Sequence, residues 1–424
     1  MPSAGVARHP SSGGKIQHVV VVIQENRSFN NMFLGFSGAI TAKVGRDSFG
    51  HKVYLKPVPL EAPWDLDHSA AGYFVSCNGT GSIPGTDCQM NGFNKEWIGC
   101  GQPSEPPCPS KYPEYSYVPH AESKPLFDIG HQYVLADKMF SSNLDASSFV
   151  AHQYLIAGQA EQSVNYPLSA WGCPGGPGDT IGMIGPNRQY PYGKPEVVCW
   201  DPTTLGDELD TAGVPWAFYT ATINGDGKVW SAYQAINHIY NGKDWGTDII
   251  TPQTQFFTDV SNGNLRAVNW ITPTYENSDH PGMKSNTGPS WVASIVNAIG
   301  ESQYWNSTAI FILWDDYGGW YDPVAPAYVD YDGLGFRVPL LVVSAYAKQN
   351  YVSHVPYEFG SILKFIENLY SLPPLAASDT RAASPALDCF NFNAPPRTFV
   401  PIQSPYDLRY FKRQPIDHRP PDNS

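Results

Sequence analysis

The chemistry-bearing residues of this chain sit where apolar runs stop. Ala309 opens one such run, Ile310, Phe311, Ile312, Leu313 and Trp314 continue it, and Asp315 and Asp316 end it ahead of Gly318 and Gly319. Two adjacent carboxylates repel each other unless a cation or a shared proton lies between them. The pair is read as metal ligands, against the plainer alternative of a solvated turn. A second run, residues 19–23, delivers Glu25 and Asn26 in the same way, with Ser28 placed to cap a short helix. Glu25 alone could instead pair with Arg27 or cap that helix.

A hydroxyl and two imidazoles complete the set. Residues 145–148 form a turn with N-cap chemistry before a helix expected over 149–157, which carries His152 in its first turn. A serine where a loop enters a helix can point its hydroxyl into a cleft, with backbone N–H groups nearby for an anion. Serines at such positions more often only cap the helix. His68, in the string WDLDHS, lies close to two acids, and His280 follows Asp279 and precedes Pro281 and Gly282.

These side chains need elements to carry them. An unbroken apolar run stopped by turn residues suits a strand buried on both faces of a parallel sheet. Open α/β sheets bind ligands beyond the carboxyl ends of their strands. Further strands are expected over 214–220, 265–271 and 335–347, with residues 134–140 a strand or a short helix. Helices are expected over 231–240, 291–299 and 361–370, the last with apolar residues at helical spacing. Residues 34–125 read as irregular, and 161–210 as a Gly/Pro-rich excursion, a lid or an insertion. The alternation predicts an α/β fold: a largely parallel central sheet flanked by helices, with loop-rich insertions. One domain over 16–370 is expected, after a flexible lead-in at 1–15 and before a C-terminal extension at 371–424 packed on it.

Charged residues make up only 15% of the chain, which holds 39 Pro and 38 Gly, the balance of a loop-rich globular protein. The net charge of -13 disfavours nucleic acid or an anionic membrane surface as partner. An anionic substrate remains compatible, because a bound cation reverses the local field. No run reaches the ~18 apolar residues of a membrane span. Cys77, Cys88, Cys100 and Cys108 lie in a Gly/Pro/Asn-rich segment, Cys173 and Cys199 flank another loop and could pair, and Cys389 makes the count odd. Loops of this kind are often disulfide-stapled in exported proteins, so a secreted or periplasmic location is expected, with the cytoplasm as alternative. The N-terminal residues lack the apolar core of a signal peptide, so export implies a signal already removed.

Five strings then stand in one order: ENRSF at 25–29, SSFVAHQY at 147–154, SDHPG at 278–282, WDDYGGWYD at 314–322 and GFRVP at 335–339. Together they resemble the phosphoesterase family of bacterial and plant phospholipases C and acid phosphatases, in the alkaline-phosphatase superfamily. The resemblance spans roughly residues 16–370 and implies an alkaline-phosphatase-like fold. It implies that Glu25, Asn26, Asp315 and Asp316 hold one divalent metal ion, with Ser148 as nucleophile and further ligand. Ser147 is adjacent, so a slip of one residue is open. His280 and His68 match active-site histidines, and His354 matches one of less clear role. The chain departs from the pattern at Asn30, at Val150 and Ala151, and at Pro323, where the family usually has His.

Oxygen donors suit Ca²⁺ or Mg²⁺, with Zn²⁺ and Mn²⁺ open. The expected activity is metal-dependent hydrolysis of a phospholipid or a small phosphomonoester through a phosphoseryl intermediate. A sulfate or phosphonate ester hydrolase is the alternative enzyme, and a non-catalytic binding protein on the same fold the alternative class. The oligomeric state is not readable from the residues.

Overall fold

The computed structural model describes residues 14–145, 147–168, 171–221 and 230–417. Most of the expected lead-in at 1–15 and the end of the tail lie outside the described residues. The central sheet has eight strands. In chain order they are β1 (His18–Gln24), β2 (Val134–Ala136), β3 (Trp216–Tyr219), β4 (Ile249–Ile250), β5 (Val268–Ile271), β6 (Thr308–Trp314), β7 (Leu340–Ser344) and β8 (Tyr351–Ser353). Their spatial order is β4-β3-β5-β1-β6-β7-β2-β8. All pairs are parallel except those of β7, which runs antiparallel to both β6 and β2. The fold is therefore α/β with a largely parallel sheet.

The central strands are buried almost throughout: every residue of β6 is buried, as are Val19 to Gln24 in β1. Strands apolar on both faces need cover on both faces, and helices provide it. The main ones are α1 (Phe29–Phe33), α2 (Ala70–Cys77), α3 (His120–Gln132), α4 (Ser148–Ala157), α5 (Gly288–Gly300) and α6 (Phe359–Tyr370). All residues of α4 are buried, so it has no solvent face, and Trp270 Nε1 of β5 donates to its Leu155 carbonyl at 3.1 Å. Gly158 ends α4 in the left-handed conformation, where a Cβ would stand 2.8 Å from Asp379 Oδ1.

The segment expected to be irregular, 34–125, holds α2 and the first half-dozen residues of α3. Ser69 caps α2 by accepting from Gly72 N, and Asn78 closes it at φ 44°. In α3, Pro125 removes one backbone donor and hides the helical pattern, but Leu126, Phe127 and Ile129 bury themselves in the core. The helix expected over 231–240 is instead broken into a 3₁₀ turn, Ala232–Ala235, and a short α-helix, Asn237–Tyr240. Trp200 causes the break: its N–H donates to Ala235 O and its carbonyl accepts from Asn237 N, each at 2.7 Å, which draws the intervening Ile236 into a strand-like bridge.

Disulfides join Cys77 to Cys88, Cys100 to Cys108 and Cys173 to Cys199, and Cys389 is a buried free thiol. Phe390, Ile402 and Phe411 from the C-terminal stretch belong to the main hydrophobic cluster. Among the described residues no helix is long and apolar enough to cross a membrane.

Candidate active site

Strand register builds the site. β1 and β6 pair in step from His18 opposite Thr308 to Gln24 opposite Trp314. Their next residues therefore emerge side by side, Glu25 with Asp315 and Asn26 with Asp316. The ladder continues one step past the strands, because Asp315 N donates to Gln24 O at 3.0 Å. Glu25 N in turn donates to Ser278 O at 2.8 Å, which draws in the loop after β5 with Asp279 and His280.

Asn26 is the hub. It adopts φ 54°, a left-handed conformation that Asn tolerates better than most residues. Its N–H donates to Asp315 Oδ1 at 3.0 Å. Its Nδ2 lies 2.9 Å from His68 Nε2 and 3.3 Å from His280 Nε2. Its Oδ1 accepts from Ser148 Oγ at 3.4 Å, and Asp316 Oδ2 is another acceptor at 3.4 Å. Each imidazole has Nδ1 on a carbonyl, His68 on Leu66 O at 2.7 Å and His280 on Pro281 O. A carbonyl only accepts, so Nδ1 carries the proton, and in the neutral ring Nε2 presents a lone pair to the Asn26 amide.

The expected residues Glu25, Asn26, His68, Ser148, His280, Asp315 and Asp316 thus come together, all of them buried. The two adjacent serines point in different directions. Ser148 is the first residue of α4 and turns its hydroxyl to Asn26 and Asp316, whereas Ser147 Oγ donates to Asn165 O. His354 is not in the cluster contacts; half-exposed, it pairs with Asp137 at 2.9 Å.

Sequence reasoning gave His152 no role. Four residues after Ser148 it shares that face of α4, and its Nε2 lies 3.1 Å from Glu25 Oε1 and 3.9 Å from Asp315 Oδ2. The four-residue spacing was the signal that could have found it. Burial pulls the His152 imidazole down to about 4, against the opposing pull of Asp315, so the ring is neutral at neutral pH. Donor atoms of Glu25, His152 and Asp315 all lie within 4.8 Å of one another. Asp315 Oδ2 is buried without a hydrogen bond. A buried carboxylate oxygen left without a donor, among further oxygen and imidazole donors, fits a divalent cation.

Surrounding residues fix these positions. Gly318 and Gly319 both have positive φ, and a Cβ on Gly318 would stand 2.0 Å from Asn26 O. Buried Arg27 lies over the Trp320 ring and donates from Nε to Asp279 O at 2.7 Å, holding the His280 loop. Arg337 makes a paired contact with Asp322, at 2.8 and 3.0 Å, with both side chains fully buried. Asp322, beside Pro323, is thereby committed to Arg337 and to the N–H groups of Asn30 and Val324. Asn30 exchanges two hydrogen bonds with the Ala42 backbone, donating at 3.2 Å and accepting at 2.8 Å. A carboxylate could only accept there, which accounts for Asn at this position.

The Phosphoesterase family matches residues 16–373. The chain is 25% identical to phospholipase C B of Mycobacterium tuberculosis (strain H37Rv), over 91% of this chain and 80% of that protein. It is also 25% identical to a non-hemolytic phospholipase C of Burkholderia pseudomallei, over 90% of this chain and 59% of that protein. Among solved structures, a protein in the alkaline phosphatase superfamily from Vibrio parahaemolyticus aligns with a TM-score of 0.40 at 10% identity, covering 88% of this chain and 69% of that one. The chain belongs to the phosphoesterase family and is an enzyme acting on phosphate esters.

Proposed function

We propose that the enzyme cleaves its substrate in two half-reactions through a phosphoseryl intermediate on Ser148. The observation that carries this is the Ser148 hydroxyl at the start of α4, 3.4 Å from both Asn26 Oδ1 and Asp316 Oδ2. In the first half-reaction Ser148 Oγ forms a bond to phosphorus, the bond to the leaving oxygen breaks, and the hydroxyl proton passes to a neighbouring acceptor such as Asp316. His68 or His280, once protonated at Nε2, donates to the leaving alkoxide. In the second, water attacks phosphorus and gives its proton to the imidazole that protonated the leaving group, the Oγ–P bond breaks, and the proton held by Asp316 returns to Ser148 Oγ. The α4 amino terminus directs backbone N–H groups toward phosphoryl oxygens.

Glu25, Asn26, Asp315 and Asp316, with Ser148, would hold one divalent ion, which supplies Lewis-acid neutralisation of phosphoryl charge when bound. The acidic cluster would otherwise repel an anionic substrate. The names of the relatives favour a phospholipid as substrate, with a small phosphomonoester as the second candidate. The three disulfides support an oxidising, exported setting, secreted or periplasmic.

The test is Ser148→Ala beside Ser147→Ala, assayed on a phosphatidylcholine dispersion and on an aryl phosphate. Ser148→Ala is expected to lose at least about 1,000-fold in kcat with unchanged folding. Ser147→Ala should stay within about tenfold of the parent, because it loses one contact outside the reacting group. Near-parental turnover by Ser148→Ala would end the covalent mechanism. Hydrolysis of the aryl phosphate alone would favour the phosphomonoester.

A further inference from the structure

We propose that His152 is a nitrogen ligand of the metal ion at this site, and that it tunes the site toward a first-row transition ion such as Mn²⁺ or Zn²⁺ over Ca²⁺ or Mg²⁺. The inference rests on the metal reading above and adds a ligand to it. Three observations lead to it. The His152 Nε2 atom faces two carboxylates at once, Glu25 Oε1 at 3.1 Å and Asp315 Oδ2 at 3.9 Å. Donors on one tetrahedral zinc ion stand about 3.3 Å apart when the bonds are about 2.0–2.1 Å, so these separations bracket what a shared ion requires. All three side chains are fully buried, and Asp315 Oδ2 has no hydrogen bond.

The alternative is a purely structural histidine that donates one hydrogen bond to Glu25. That contact leaves Asp315 Oδ2 without a hydrogen bond and sets two carboxylates side by side in a dry site, an expensive arrangement. A cation in the same space serves both carboxylates. The imidazole is already placed for it: α4 carries His152 four residues from Ser148, and Trp171 stands edge-to-face against the ring at 5.9 Å. The ligand type then governs selectivity, since imidazole nitrogen suits Zn²⁺ and Mn²⁺, whereas alkaline-earth ions take oxygen almost exclusively.

The experiment loads the full chain with Mn²⁺ and records pulsed EPR, with competition by Ca²⁺ as a second measurement. The expected result is nitrogen modulation from a directly bound imidazole, altered when the chain is grown with ¹⁵N-histidine. His152→Gln should abolish it, whereas His68→Gln and His280→Gln should keep it. The preference for Mn²⁺ over Ca²⁺ should fall at least about tenfold in His152→Gln. The isotope arm needs no substitution, so it reports even if the variant fails to fold; in that event His68→Gln and His280→Gln assign the signal by exclusion. Bound Mn²⁺ without nitrogen modulation, or modulation that survives His152→Gln, overturns the His152 assignment while leaving the oxygen-ligand site intact. A chain that binds no divalent ion at all overturns the underlying metal reading and this ligand with it.

Discussion

Asn26 and Gly318 touch closely enough that each limits the other. Asn26 holds a left-handed backbone so that its N–H reaches Asp315 while its amide reaches both histidines and Ser148. Gly318 lies against its carbonyl with φ 59°, and any Cβ there would overlap Asn26 O at 2.0 Å. Gly318→Ala therefore meets two penalties, a strained backbone and a clash with an atom that cannot retreat without moving Asn26. A loss of about 1–3 kcal/mol in stability is expected, read by denaturant unfolding, with a larger fractional loss in kcat than in substrate affinity. Unchanged kcat would mean that Asn26 can shift without disturbing the reaction. The Gly-Gly pair was visible in the chain as turn residues after a strand, but its contact partner was not. Likewise Glu25, Asn26, Asp315 and Asp316 were legible because apolar runs stop abruptly at them. His152 was legible as part of a helix and, by its four-residue spacing, as sharing the face of Ser148; that this face meets Glu25 is decided by tertiary packing.

At the level of elements, what sets Glu25 and Asn26 beside Asp315 and Asp316 is the β1–β6 register, a property of pairing that neither strand carries alone. Strand existence followed from apolar runs, whereas the antiparallel direction of β7 and the helix hidden by Pro125 did not, because tertiary burial decides both. Arg337 shows how far such long-range choices reach. It lies just before β7, pairs with Asp322, donates to Asp137 O at the end of β2 and to Ile40 O, and accepts from Phe29 N at the start of α1. The pair is fully buried, so the useful quantity is the penalty for leaving one partner alone rather than the net worth of the bridge. Arg337→Ala is expected to destabilise by about 3–5 kcal/mol, seen as a lower denaturation midpoint. The double variant Arg337→Leu with Asp322→Leu should recover part of that loss, because no uncompensated charge remains. Equal losses in the single and double variants would show that the backbone contacts, not the charge, dominate.

Across the whole molecule, buried acids away from the cluster around Asn26 give stability a direction with pH. Asp332 is pushed up to about 7 by burial, while Tyr154 donates to its Oδ2 at 2.6 Å. Burial and the facing Asp332 push Asp145 up as well, and burial alone takes Glu114 to about 8. A carboxyl whose folded value is raised stabilises fully below the unfolded value, near 4, and that contribution is lost as pH rises through the folded value. His152 acts in the opposite sense: its lowered value makes stability fall as pH drops from about 6.5 toward 4. Between pH 4.5 and 6.5 the several carboxyls outnumber the single imidazole, and above that range only the carboxyl contribution continues (bounds approximate). Without added metal, the chain should therefore unfold at a higher temperature near pH 5 than near pH 8, its unfolding free energy falling by about 1.4 kcal/mol per pH unit for each unmatched proton. Asp332→Asn keeps an acceptor for Tyr154 but cannot ionise, so its curve should be flatter by about one proton over that span. A parent chain whose unfolding temperature rises from pH 5 to pH 8, or an Asp332→Asn curve parallel to it, would mean that the pair is already ionised and neutralised by a group outside these contacts.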